Sequence, residues 1–200
     1  SSTVLPCRGC GRFWKVTREG LEPFEARFAR PQVPAAGSPV WLPFWQVPVQ
    51  VDYSGKRATR VADLTGVLGV IKPPGEVAKA PPDAPLCYYV PAFGARHAPR
   101  IDHSARDLTR YQPALEPGDA GQGEIYNCYF NEEDARQLAY VTWILLVPGT
   151  VPHRVRSLRI QPGAPRLWYL PFDQDAGGRE LLSLVTGVRY DRDAFRGVRH

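Results

Sequence analysis

Cys7-Arg8-Gly9-Cys10-Gly11 sets two thiols two residues apart and closes on glycine. Such a segment folds as a tight turn whose backbone N–H groups point at the sulfurs, a setting suited to a thiolate pair on zinc or iron. Cys87 and Cys128 stand singly inside apolar runs and read as small buried hydrophobes. They join a site only if folding brings them to the turn; otherwise the missing ligands come from elsewhere, or there is no metal and Cys7 and Cys10 are free thiols or a disulfide. A dithiol of the thioredoxin kind must open a helix after a strand, and neither Val4-Leu5-Pro6 nor Gly11-Arg12-Phe13-Trp14 supplies a helix start.

The other clusters of reactive side chains each have a plainer reading. His97, Asp102 and His103 hold metal-ligand chemistry, but their spacing is irregular and Arg96 and Arg100 would repel a cation, so a solvated loop or a helix cap is expected. Asp173-Gln174-Asp175-Ala176-Gly177-Gly178 opens like a calcium loop, yet Leu184 stands where a bidentate Glu is required. Gly118 to Gly123 is glycine-rich, but it precedes a strand-like run and not the helix that a phosphate-cradling loop needs. Arg154 and Arg156, read on one face of a strand, and the tail residues Arg189, Arg192, Arg196, Arg199 and His200 offer a basic surface for nucleic acid. Trp14, Trp41, Trp45 and Trp168 sit in apolar runs, where core packing is the ordinary role of an aromatic ring.

From Pro6 to Trp14 the chain resembles one knuckle of a zinc ribbon, in which Cys-x-x-Cys-Gly is followed by an aromatic residue; Phe13 and Trp14 take that place. The resemblance implies Cys7 and Cys10 as metal ligands and zinc as the cofactor. A ribbon carries a second Cys-x-x-Cys, which this chain does not have.

These residues need a scaffold, and the sequence describes one. Twenty-one Pro and 18 Gly in 200 residues argue for short strands and many turns. A degenerate repeat recurs: Trp41-Leu42-Pro43-Phe44 with Asp63-Leu64-Thr65, Tyr89-Val90-Pro91-Ala92-Phe93 with Asp107-Leu108-Thr109, and Trp168-Tyr169-Leu170-Pro171-Phe172 with Leu184-Val185-Thr186. Each Pro is expected at an exposed corner, with the following Phe turning into the core. Val47, Val49, Val51 and Tyr53 alternate as a half-buried strand; 67–71, 86–90, 125–130, 155–160, 166–170 and 180–190 also read as strands. Ser104 to Arg110 suits a short helix. The clear helix is 132–146, capped by Asn131, acidic in its first turn and stopped by Pro148 and Gly149, with Ala135, Leu138, Ala139, Thr142 and Leu145 as its buried stripe.

The expected fold class is therefore α+β, mostly short antiparallel strands in repeated strand–Pro–Phe units. Residues 1–37 form a Cys-bearing head with a Pro/Ala/Gly linker, and 38–200 a second domain. The longest apolar run, 139–147, is too short to cross a bilayer, and no secretory signal is visible. The absence of Met fits an initiator that was removed or a piece of a longer chain. A net charge of +5, carried mostly by Arg without blocks of like charge, excludes neither solvated surface nor an acidic partner. The functional expectation is a cytoplasmic, non-catalytic interaction or assembly module that docks a protein partner or larger complex. Its rivals are an accessory subunit of a redox or electron-transfer complex, a basic nucleic-acid-binding protein, and an enzyme assembled from distant residues.

Overall fold

The computed structural model describes residues 4–7, 9–69, 71, 77–93, 98–174 and 179–191, with 98–102 by backbone alone. Strands dominate. In chain order they are β1 (Val4–Pro6), β2 (Phe13–Val16), β3 (Leu21–Phe24), β4 (Ala26–Ala29), β5 (Val40–Tyr53), β6 (Lys56–Ala58), β7 (Cys87–Pro91), β8 (Pro117–Gly118), β9 (Glu124–Ile125), β10 (Leu158–Pro162), β11 (Arg166–Gln174), β12 (Glu180–Ser183) and β13 (Arg189–Asp191). The α-helices are α1 (Leu64–Leu68), α2 (Ala98–Tyr111), α3 (Glu132–Leu146) and α4 (Val151–Ser157). The α+β class is observed, with a three-stranded β1–β2–β3 meander beside a ten-stranded sheet.

β5 organises the large sheet. The alternation of Val47, Val49, Val51 and Tyr53 does mark a strand, and that strand is 14 residues long rather than short. Along one side it pairs antiparallel with β10 and then β11, which run in line through a bulge at Gly163, whose N–H reaches Pro48 O at 2.7 Å. Along the other side lie β9, β7 and β6. The period-two rule then splits its side chains between two cores. Trp41, Trp45, Val47, Val49, Val51 and Tyr53 face the layer holding α1, α3 and the meander's Val4 and Phe13. Leu42 and Phe44 face the other layer, with Tyr89, Trp168, Leu170, Phe172 and Leu108 of α2.

The free edge of β7 would offer a row of unpaired N–H and C=O groups to any passing strand. The end of α2 closes it: Gln112 accepts from Cys87 N at 3.0 Å and donates to Cys87 O, while Thr109 Oγ1 accepts from Tyr89 N at 3.0 Å. Gln112 holds φ +46° to do so.

Several expectations fail for physical reasons. Pro43 and Pro171 are buried inside strands, not exposed at corners. Each lacks only its own N–H; their carbonyls accept from Ala92 N and Leu184 N at 2.9 and 3.0 Å. The Thr-bearing halves of the repeat adopt different structures: Thr65 lies on α1, Thr109 on α2 and Thr186 in the β12–β13 turn. The described residues of the 67–71 run form no strand. Its start belongs to α1, which follows a turn where Asp63 caps the N–H groups of Thr59 and Arg60, each at 2.9 Å. Within 155–160 only β10 is extended, because Pro152 seeds α4 ahead of it. In 125–130 only Ile125 continues a strand, and the expected short helix at 104–110 is the end of the longer α2.

Helix α3 keeps its expected bounds, and Asn131 Oδ1 accepts from Asp134 N at 2.9 Å. Its buried positions are Ala135, Ala139 and Trp143; Leu145, expected inside, is 41% exposed. Residues before 38 contribute to the main body. β4 pairs parallel with β11, and the 30–37 stretch is held by Arg30 N to Glu116 O, Gln32 N to Leu184 O and Ala36 N to Asp173 Oδ2. No helix among the described residues is long and apolar enough to cross a membrane.

Candidate metal half-site

The Cys-x-x-Cys turn caps the β1–β2 hairpin. Cys7 N donates to Arg12 O at 2.7 Å and Gly11 N to Cys7 O at 2.9 Å, closing the turn. Gly11 sits at φ +68°, a conformation that costs a side-chain-bearing residue about 1 kcal/mol or more, which is why glycine ends the motif. The base of the hairpin is fixed to the body. Val4 exchanges backbone hydrogen bonds with Cys128, both at 3.2 Å, and Phe13 stacks on Tyr169 at 5.0 Å. Lys15 pairs with Glu132 at the start of α3, 3.2 Å away.

The Cys7 sulfur is hydrogen-bonded by the Cys10 side chain and by the backbone N–H groups of Cys10 and Gly9, which together pull its acidity below that of an ordinary thiol. Cys7 is half-buried and Cys10 exposed. The arrangement is a preformed turn that holds two thiols together, with Cys10 exposed to solvent. It can hold a thiophilic cation at two positions of a tetrahedral shell, and the soft sulfur donors and amide cradle fit zinc or iron. It cannot fill that shell by itself.

Cys87 and Cys128 do not complete it. Both are buried, and burial pushes each thiol up to about 12. Their protons are engaged: Cys128 Sγ donates to Phe130 O at 3.2 Å, and Cys87 Sγ to Pro85 O at 3.5 Å. Among the described residues, no group of three or more His, Cys, Asp or Glu side chains converges as a metal site.

The remaining candidates resolve as follows. His97, Asp175, Gly177 and Gly178 lie outside the described residues, as do Arg192, Arg196, Arg199 and His200; Asp102 is described by backbone only, and His103 is exposed on α2. Asp173 is spent on the Ala36 N–H at 2.6 Å. The glycine-rich 118–123 segment is strand packing. A side chain on Gly123 would meet Pro39 O at 2.2 Å and Trp41 Nε1 at 2.9 Å, and Gly118 abuts Arg30. Arg154 and Arg156 lie on helix α4, where neighbours two apart point to different sides, so they do not share a face as a strand would allow. Arg189 pairs with Glu180 at 3.5 Å. Trp41, Trp45 and Trp168 are buried, and Trp45 Nε1 and Trp168 Nε1 are bonded to Phe130 O and Gln46 Oε1.

Two features escape a reading of the sequence. Asp107 on α2 accepts from Tyr190 OH at 3.1 Å, and burial raises its carboxyl above the ordinary range; nothing in the spacing joins residues 83 apart. The other is an exposed apolar face on α3 and α4, comprising Tyr140, Val141, Leu145, Val151 and Val155. Part of its signal was present, since Val141 lies opposite the inward stripe begun by Ala135 and Ala139, whereas Leu145 sits at a position that the stripe also admits. Near the hairpin, a cleft of about 260 Å³ is lined by Phe24, Glu25, Arg27, Glu132, Arg166 and Leu167. Its charges are largely matched within the fold, Arg27 to Glu25 at 2.7 Å and Glu132 to Lys15.

Comparison with protein-family models, with curated proteins and with solved structures returns no match for this chain.

Proposed function

We propose that this chain is a non-catalytic docking module whose Cys7–Cys10 turn contributes half of a zinc site shared with a protein partner. The observation that carries the reading is the thiol pair at the turn, Cys10 exposed and Cys7 half-buried, with the Cys7 thiol made more acidic by the Cys10 side chain and the backbone amides of Cys10 and Gly9. A zinc ion bound there keeps two positions for thiolates or imidazoles of the partner, so metal binding and docking become one event. The meander anchors the turn through Val4 and Phe13, while the large sheet, with the three Pro–Phe segments of β5, β7 and β11 side by side at its centre, serves as rigid support. Four free thiols suit a reducing, cytoplasmic setting.

The test is a zinc titration of the chain in the presence and absence of a synthetic Cys-x-x-Cys peptide. The expected result is zinc-dependent capture of the peptide by the wild-type chain and none by the Cys7→Ser/Cys10→Ser variant. Equal zinc retention by both proteins overturns the site. Native chain that carries iron with a visible chromophore transfers the reading to a redox subunit.

A further inference from the structure

The α3–α4 hairpin has a surface that the Cys turn does not use. Val141 is 50% exposed, Val151 64% and Val155 47%, with Tyr140 and Leu145 beside them. The Tyr140 hydroxyl donates to Val155 O at 3.0 Å and Arg154 Nη1 to Ile144 O at 3.1 Å, so the two helices present these side chains together. Residues 148–153 are exposed without interruption. The feature is an exposed apolar tip formed by the ends of the two helices and the turn between them.

Its electrostatics are one-sided. From residue 135 to residue 172 the chain has no Asp or Glu, while Arg154, Arg156 and Arg159 fall on or just after α4; Arg136, farther back on α3, is paired with Glu133 at 3.4 Å. Arg159 donates to the carbonyls of Arg156 and Leu158, both at 2.9 Å, and neither it nor Arg154 or Arg156 forms an ion pair among the described residues. The adjacent β5–β6 turn, joined to α4 through Ser54 and His153 at 2.9 Å, adds Lys56. Asp52, on β5 and opposite Arg159 in register, is held by Arg57 at 2.7 and 3.1 Å.

We propose that this tip seats on an anionic phospholipid surface, lying on it without crossing. Exposed aliphatic side chains enter the acyl boundary, and Arg at their margin meets lipid phosphates, whereas the core of a protein interface is centred on aromatic anchors in well-packed pockets. The inference is independent of the zinc reading.

The experiment is co-sedimentation of the chain with vesicles of phosphatidylcholine alone and with added phosphatidylglycerol. Binding is expected only to the anionic vesicles, weakening as salt rises. Arg156→Glu/Arg159→Glu is expected to weaken binding roughly tenfold or more, since each basic residue near the surface is worth about a factor of five. Val151→Ser/Val155→Ser, which alters only exposed positions, should weaken it by a similar factor, with unchanged melting temperature for both variants. Cys7→Ser/Cys10→Ser should bind like wild type. Absent or charge-independent binding overturns the proposal, as does unchanged binding of either surface variant. Preference for polyglutamate or duplex DNA over the anionic vesicles overturns it in favour of an acidic protein or nucleic acid.

Discussion

Cys7 and Cys128 are neighbours through β1, since Val4, three residues before Cys7, is bonded to Cys128 across a backbone bridge. Their chemistry is opposite. Cys7 lies in a solvent-facing turn where N–H groups favour the thiolate, and Cys128 lies in a dry core where its proton is held by a carbonyl. A short stretch of strand thus separates an acidic, accessible thiol from a buried filler, and the local supply of donors and water decides which is which. The same contrast holds more widely. The core engages the thiols of Cys87 and Cys128, and the rim leaves Cys10, Arg and apolar side chains exposed.

The largest effect expected from this contrast is in thiol labelling. With Cys87 and Cys128 near 12, their thiolate fraction at pH 8 is roughly four orders of magnitude below unity, before access is counted. Mass mapping after brief exposure to a thiol reagent should find Cys7 modified and those two intact. Because Cys7 is more acidic than an ordinary thiol, its labelling should persist as pH falls through the range where a free cysteine becomes protonated. Labelling of Cys128 at the rate of Cys7 in native protein breaks the contrast.

Next in size is Trp45→Ala. Trp45 is almost fully buried, and its Nε1 shares the Phe130 carbonyl with the Cys128 thiol. A loss of about 3–5 kcal/mol is expected from denaturant melts, together with entry of reagent to Cys128. A loss below about 1 kcal/mol would mean that the interior is not packed as described. Smaller again is Gln112→Ala, which leaves the Cys87 N–H and C=O without partners at the edge of β7. About 1–3 kcal/mol is expected for such an orphaned group, with faster amide exchange confined to β7 and the end of α2. Exchange that stays slow at Cys87 and Tyr89 would show that α2 does not guard that edge.

Part of this organisation is legible in the residues. Asn131 with three acids after it announces α3, and alternating Val announces β5, because cap and period are local properties. The turn from Cys7 to Gly11 is local too, as is its glycine. What the residues conceal is partnership. Asp-Leu-Thr recurs, but one copy begins α1 and another lies within α2, since the surroundings of the tripeptide choose its conformation. Leu145 fits the helical stripe as well as Trp143 does, and the placement of β5, β7 and β10 against α3 selects Trp143 for the interior. The Gln112 network and the Asp107–Tyr190 bond join distant segments with no periodic mark.

The double flanking of β5 has a consequence for how the chain comes into being. Its central strand leaves the ribosome early, while its whole second side, β10 and β11, spans 158–174. Until those residues emerge, a 14-residue, Val- and Trp-rich strand has one side open to any chain that passes. Nearly all of its pairing is long in sequence separation, so closure is slow relative to local helix formation. A nascent chain arrested before about residue 174 is therefore the aggregation-prone species of this protein, and the one on which a chaperone would act.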